Sequence, residues 1–282
     1  MDARLQRRIQ RYGWDLAADE YEPLWGDQLA SAQALLLERV ALRRGERVLD
    51  VACGTGVVLR AAAHAVGDNG RAVGIDISAQ MVAAAATACA ARGLQNVEFA
   101  RMDAEALEFS DQCFDVVLCS LGLMYMPDAE QAIREMHRVL RPGGRIALLV
   151  WGDRRHCGWA DVFEIVQDEV RSEVCPLFFR LGQHDALERA CRDARFVAIE
   201  QSVMNVTLEY PDAQQACRAA FVGGPVALAW ARFDEVTRAR VMQRYVASIE
   251  RWRDRSAYRI PGGFRIALAR RAAAVGTSFM AR

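Results

Sequence analysis

From Arg47 to Trp151 the chain alternates short apolar runs with helix-patterned segments, and no other feature constrains its fold as strongly. The order is RVLDVA, a glycine turn, VVLRAAAHAV, RAVGIDI, AQMVAAAATACAARG, NVEFA, a loop, CFDVVLCS, AEQAIREMHRVLR and GGRIALLVW. Strands that are apolar on both faces need cover on both, so this rhythm predicts a parallel sheet sandwiched by helices. Several boundaries are written into the residues. Ser78 stands where an N-cap would satisfy free backbone N–H groups, and Gly93 where the same helix needs a left-handed turn to stop. Arg141-Pro142-Gly143-Gly144 ends another helix and turns the chain into the next strand.

The flanks are less regular. Residues 1–45 read as a helical cap, with DLAADEYEPLW and QLASAQALLLERVAL carrying apolar positions at helical spacing up to Arg43-Arg44-Gly45. Residues 46–282 form the main domain, with helical insertions at about 157–195 and 211–258. FVAIEQSVMNVTLEY reads as one strand or a bent pair, and FRIALARR as a closing strand.

Composition narrows the classes. With 52% hydrophobic and 26% charged residues over 282 positions, the chain has ordinary globular usage. The longest apolar stretch, residues 81–91, falls well short of the roughly 20 residues a membrane span needs. The basic N-terminus has no apolar run behind it, so a cytoplasmic address is expected. All 36 basic residues are arginine, which excludes any lysine nucleophile or Schiff base. The eight cysteines form no C-x-x-C pair, so they are expected as core thiols with no metal bound. Net charge is zero but uneven: residues 228–282 hold 12 Arg against 4 acids. An arginine-rich segment invites RNA phosphates or an acidic membrane, yet Arg interleaved with Val, Ile and Met reads first as the solvated face of an amphipathic helix.

The chemistry concentrates in VLDVACGTG, residues 48–56. Gly54 and Gly56 let a ligand approach the backbone, and the helix that follows offers free N–H groups. The dinucleotide fingerprint wants a third glycine where Leu59 stands, and no G-K-[ST] follows, so neither a dinucleotide nor a P-loop site fits. Asp76 ends the second strand, where a carboxylate can accept from a ribose diol. Asp103 follows the third strand, placed to accept from an exocyclic amine.

Taken in order, Val48–Gly56, Gly74–Ser78, Met102–Ala104, Phe114–Ser120 with GLMYMPD, and RVLRPGGRIAL resemble the class I S-adenosylmethionine-dependent methyltransferases. Within them the chain is similar to the small-molecule branch of the ubiquinone/menaquinone C-methyltransferase family. The resemblance covers about residues 45–152 and, more loosely, Trp14, Asp15, Tyr21 and the last strand. It implies a doubly wound, Rossmann-like seven-stranded sheet in the order 3-2-1-4-5-7-6, the last strand antiparallel. It also implies that Asp50, Ala52 and the Cys53–Gly56 backbone hold the methionine portion of S-adenosylmethionine. Asp76 would hold the ribose, with Ile77 and Met81 against the adenine, Asp103 and Ala104 reading its edge, and Cys119 or Ser120 offering a carbonyl near the sulfonium. Tyr21 would close over the cofactor.

Methyl transfer needs mainly orientation and exclusion of water, because the cofactor carries the reactivity. If a general base is used, His156 after the fifth strand and Tyr125 after the fourth are the candidates. Trp14, Trp25, Trp159, Phe178 and Phe179 fall in segments that would cover the site, which suits a small apolar or aromatic acceptor. The expected partner is that small molecule and the product S-adenosylhomocysteine, with a monomer or homodimer expected, no DNA, and RNA disfavoured by CSLG after the fourth strand. The alternative is a non-methylating S-adenosylmethionine-binding protein of the same fold, since such motifs report cofactor binding alone. An RNA methyltransferase is the lesser alternative.

Overall fold

The computed structural model describes residues 2–172 and 174–274. The chain opens with α1 (Ala3–Val40), then alternates β1 (Arg47–Val51), α2 (Val57–Val66), β2 (Arg71–Asp76), α3 (Ala79–Ala90) and β3 (Val97–Arg101). The second half of the sheet is β4 (Phe114–Ser120), α4 (Ala129–Val139) and β5 (Leu140–Trp151). Then come α5 (Asp161–Val170), α6 (Ala186–Asp193), β6 (Phe196–Tyr210), α7 (Ala213–Phe221), α8 (Ala227–Arg232), α9 (Glu235–Ile249), β7 (Arg253–Asp254) and β8 (Ala257–Arg271).

The strands form one sheet in the order β3-β2-β1-β4-β5-β8-β6, with β7 paired to β8 off that path. β8 is antiparallel to both β5 and β6, and the other main pairs are parallel. The expected order therefore holds, with an eighth strand added. Two residues of β7 pair with the start of β8 around Arg255, whose φ of 60° makes the tight turn. That hairpin replaces the end of the helical segment expected to reach residue 258. The expected helical stretch at 157–195 is two helices, α5 and α6, joined by turns.

The core follows from the sequence pattern. Val48, Leu49, Val116, Val117, Leu118 and Ile146 through Val150 are essentially inaccessible, because β1, β4 and β5 are central and covered on both faces. Ser78 caps α3 as expected, its hydroxyl accepting from the Met81 N–H at 3.1 Å. α1 is a single 38-residue helix that runs through Pro23 rather than two helical pieces. A proline inside a helix costs about 3 kcal/mol, and the buried stripe on both sides of it (Ala17, Ala18, Leu24, Trp25, Leu29, Leu36) offsets that cost. α1 packs across α2, α3, β5, α7 and α8. Its Gln28 side chain also pairs with edge strand β6, donating to the Glu209 carbonyl and accepting from the Glu209 N–H, so helix α1 occupies part of an open sheet edge.

The end of α1 is fixed by one arginine. Arg145 on β5 donates to the Val40 and Ala41 carbonyls and forms a two-pronged pair with Glu46 at 2.8 Å, both side chains 12% exposed. Arg145→Met is expected to lower stability by about 2–3 kcal/mol, because it strands a half-buried Glu46 and two helix-terminal carbonyls. An unchanged urea midpoint would show that water replaces the arginine at no cost.

The arginines of the C-terminal segment are largely committed within the chain. Arg240 pairs with Glu169, Arg244 with Asp168 and Arg259 with Glu209, while Arg271 donates to the His137, Arg138 and Leu140 carbonyls. Among the described residues no helix is long and apolar enough to cross a membrane.

Candidate active site

Between β1 and β4 the strand order reverses, and the crevice at their carboxyl ends is where α/β sheets of this kind bind ligands. The sequence makes that crevice from two strained turns. Ala52 (φ 56°), Gly54 (φ 54°) and Gly56 (φ 81°) all occupy the left-handed region after β1, and Leu121 (φ 63°) does so after β4. Left-handed Ala and Leu cost free energy, and here the strained backbone lines the crevice. Gly122 is required beside them, because a Cβ there would come within 2.4 Å of the Ala52 Cβ.

Carboxylates organise the turn. Asp76 accepts from the Gly54 N–H at 3.0 Å and from the Ser78 N–H at 2.9 Å, so one side chain ties the glycine turn to the start of α3. Burial pushes the Asp76 carboxyl up to about 6 against these two donors. The Ser78 hydroxyl donates to Asp15 at 2.6 Å, which fastens α1 to the same corner. Asp103 accepts from the Glu105 N–H at 3.0 Å and pairs with Arg7 at 3.1 Å; Arg7 also pairs with the buried Glu105. Asp50 is different. It is 1% exposed, no protein donor lies in good hydrogen-bond geometry to either carboxylate oxygen, and burial, then the nearby Asp76 charge, pushes it up to about 8 against the weak pull of the Leu59 N–H at the start of α2. The hydroxyls of Thr55 and Ser120 are likewise buried without partners.

These groups line one cleft at the carboxyl ends of β1 and β4. Of the residues singled out from the sequence, Tyr21, Asp50, Ala52, Cys53, Gly54, Asp76, Ile77, Met81, Asp103, Ala104, Ser120 and Tyr125 line it. Gly56 lies behind the cleft wall, starting α2 with Ala85 against it. Cys119 is wholly buried in β4 and burial pushes its thiol up to about 12, so its side chain faces the core. His156 needs correction as a base. It sits exposed in a short turn after β5, against Gly263, outside the cleft, because β5 carries the chain past the cleft before that turn forms.

The cleft also contains residues the sequence did not flag for it. Arg7 and Gln10 join the expected Trp14 and Tyr21 on one face of α1 and form its roof. Their spacing of 3, 4 and 7 positions is a helical stripe, and that periodicity was the available signal. Thr55, Glu105 and Gly122 complete the floor and rim. Beyond Tyr21 and Tyr125 the cleft meets a smaller aromatic space.

The reversed strand order, the one antiparallel strand and the glycine turn under paired acidic strand ends define a Rossmann-like α/β protein of the methyltransferase fold. Comparison with known proteins agrees: residues 48–144 match the methyltransferase domain family, and the chain resembles the class I S-adenosylmethionine-dependent methyltransferases. It is 35% identical over 151 residues to the ubiquinone/menaquinone biosynthesis C-methyltransferase UbiE of Shewanella frigidimarina. That match takes in 53% of this chain and 59% of the relative, so the chain spans little more than half the length of the curated relatives it matches. Among solved structures it is similar to BH2331 of Bacillus halodurans C-125, with a TM-score of 0.62 at 21% identity, covering 86% of this chain and 100% of that one. It is also similar to the cyclase SpnF, with a TM-score of 0.55 at 25% identity over 86% of this chain and 80% of that one.

Proposed function

We propose that the protein transfers a methyl group from S-adenosylmethionine to a small apolar or aromatic acceptor. The observation that carries this reading is the set of buried, unpartnered polar groups at the glycine turn: both Asp50 oxygens, Thr55 Oγ1 and Ser120 Oγ. Buried polar groups in native proteins are almost always satisfied, so such a set marks where a polar ligand supplies the partners. An amino acid's ammonium complements Asp50, and its carboxylate complements the free N–H groups at the start of α2. Asp76 retains lone pairs for a ribose diol, and Asp103 faces the cleft where an adenine edge would lie.

When bound, S-adenosylmethionine supplies an electrophilic methyl on a sulfonium, ready for in-line displacement. The chain's own residues orient and enclose. Trp14 packs edge-on to Tyr21 at 5.6 Å and to Tyr125 at 5.0 Å, presenting ring faces and apolar edges where the cleft narrows. Such rings exclude water and favour a neighbouring cation.

Calorimetric titration of the purified chain with S-adenosylmethionine and S-adenosylhomocysteine, followed by incubation of the labelled cofactor with a metabolite extract, tests the proposal. Micromolar binding with a newly labelled small molecule is the expected result. Binding without any labelled product would replace methyl transfer by a non-methylating use of the same fold, and no binding would remove the cofactor assignment altogether.

A further inference from the structure

Helix α1 has a second face. Arg7, Gln10, Trp14 and Tyr21 line the cleft, and helical spacing puts Leu5, Ile9, Tyr12 and Leu16 on the opposite side of the same helix. Of the seven large hydrophobic side chains exposed among the described residues, three belong to that row: Leu5 (38%), Tyr12 (45%) and Leu16 (52%). Ile9 lies half-buried between them. Exposed hydrophobics scattered singly are ordinary, but four at successive helical turns make one continuous stripe along the outer side of the roof. One edge of the stripe is closed, because Gly13 packs against Leu228 of α8.

The other edge is basic. Arg4, Arg8 and Arg11 each stand one position ahead of Leu5, Ile9 and Tyr12, so they run as a parallel row beside the stripe. None of the three is ion-paired with a described residue: Arg4 gives only its backbone N–H to the Asp2 cap, and the Arg11 guanidinium lies 4.8 Å over the Tyr12 ring. Arg7 on the cleft side, by contrast, is bound to Asp103 and Glu105. The acids nearby do not neutralise the row, since Asp2 caps the helix, Asp15 is held by the Ser78 hydroxyl and Asp19 lies beyond Leu16. An apolar stripe with guanidinium groups along one flank complements an anionic bilayer surface. Its apolar side chains enter the boundary of the acyl region, and the arginine stems reach back to lipid phosphates. A second copy of the chain docked through this face would bring two unneutralised arginine rows together. Four apolar side chains also fall well short of the roughly 20 residues a side that a stable protein interface takes.

We propose that the outer face of α1 docks the protein on a membrane surface carrying anionic phospholipid, with Leu5, Ile9, Tyr12 and Leu16 in the interface and Arg4, Arg8 and Arg11 on the lipid phosphates. The attachment is peripheral and reversible, because the stripe covers only about three helical turns. It leaves the cleft side of α1 free, so cofactor binding and attachment are separate events, and attachment does not depend on methyl transfer.

The test is co-sedimentation of the full chain with phosphatidylcholine vesicles, with and without about 30% phosphatidylglycerol. Binding is expected to the anionic vesicles and not to the neutral ones at about 1 mM lipid, and it should fall at least about tenfold between about 0.1 M and about 0.5 M salt. At about fivefold per arginine, Arg4→Gln/Arg8→Gln/Arg11→Gln should weaken binding by about 100-fold. Leu5→Gln/Leu16→Gln should weaken it at least about tenfold. Val236→Gln, at the most exposed of the large hydrophobics (71%) but on α9, should leave it unchanged. The comparison of the two vesicles needs no variant to fold. No binding to anionic vesicles, equal binding to neutral ones, or full binding by the triple arginine variant would each overturn the assignment. Self-association of the wild type that Leu5→Gln/Leu16→Gln abolishes would overturn it in favour of a second copy on this face. Binding of single-stranded RNA without binding of vesicles would give the arginine row to nucleic acid instead.

Discussion

Asp50→Asn is expected to stabilise the cofactor-free protein at pH 8–9 while weakening S-adenosylmethionine binding by at least about tenfold. Both effects come from one carboxylate that is buried, unpartnered and held up to about 8 by desolvation, with the Asp76 charge second. Because its folded value lies above the unfolded value of about 4, the folded state binds more protons across that window, and stability falls as pH rises from about 4 through 8. The loss is on the order of a few kcal/mol by the linkage of about 1.4 kcal/mol per pH unit. A neutral asparagine cannot undergo it. Thermal unfolding of both proteins at pH 5 and pH 9 reads this directly: the variant's advantage should appear at the higher pH and shrink at the lower. The same charge makes binding proton-linked. At pH 7 Asp50 is mostly protonated, so capture of an ammonium should release close to one proton in the wild type and none in Asp50→Asn, measured by titration in buffers of different ionisation enthalpy. Equal proton release in both proteins would remove Asp50 from the ammonium site.

Asp76→Ala should weaken S-adenosylmethionine by about 10- to 150-fold, the loss of about 1.5–3 kcal/mol of charge-assisted hydrogen bonding to a ribose diol. The effect has two sources that can be separated. Asp76 also restrains the Gly54 and Ser78 N–H groups, so alanine frees the glycine turn as well as removing the ribose partner. Adenosine, which lacks the amino-acid portion, should lose affinity by a similar factor if the ribose contact dominates. An unchanged dissociation constant for S-adenosylmethionine would sink the ribose assignment.

The parts of the cleft that lie within residues 48–144 were largely legible in advance; outside them the sequence pointed to Tyr21 and Trp14 but not to Arg7 or Gln10. Asp50, Gly54, Asp76 and Asp103 each stand at the carboxyl end of a strand or in the turn that follows, so reading the strands also placed the acids along one edge of the sheet. His156 failed the same reasoning because proximity in sequence to the end of β5 says nothing about which way the next turn leaves the sheet. Arg7 illustrates the opposite case: it reaches Asp103 and Glu105 across almost 100 positions, and no local pattern encodes that meeting.

What the sequence alone determined is the individual strands, their helical cover and the glycine turn, because each rests on local features: strand burial, helix periodicity, caps and positive φ; the strand order, which pairs Val48 with Val116 and Arg145 with Arg270, came from the family resemblance. What only the tertiary structure decided is the roof and the aromatic space beside the cleft. These bring together α1, the end of β5, Trp159 and the Gly224–Pro225 turn, segments separated by up to about 200 residues. Their meeting depends on how the helices pack over a finished sheet; a helical period marks the stripe on α1, but no period in the sequence says which surface that stripe meets.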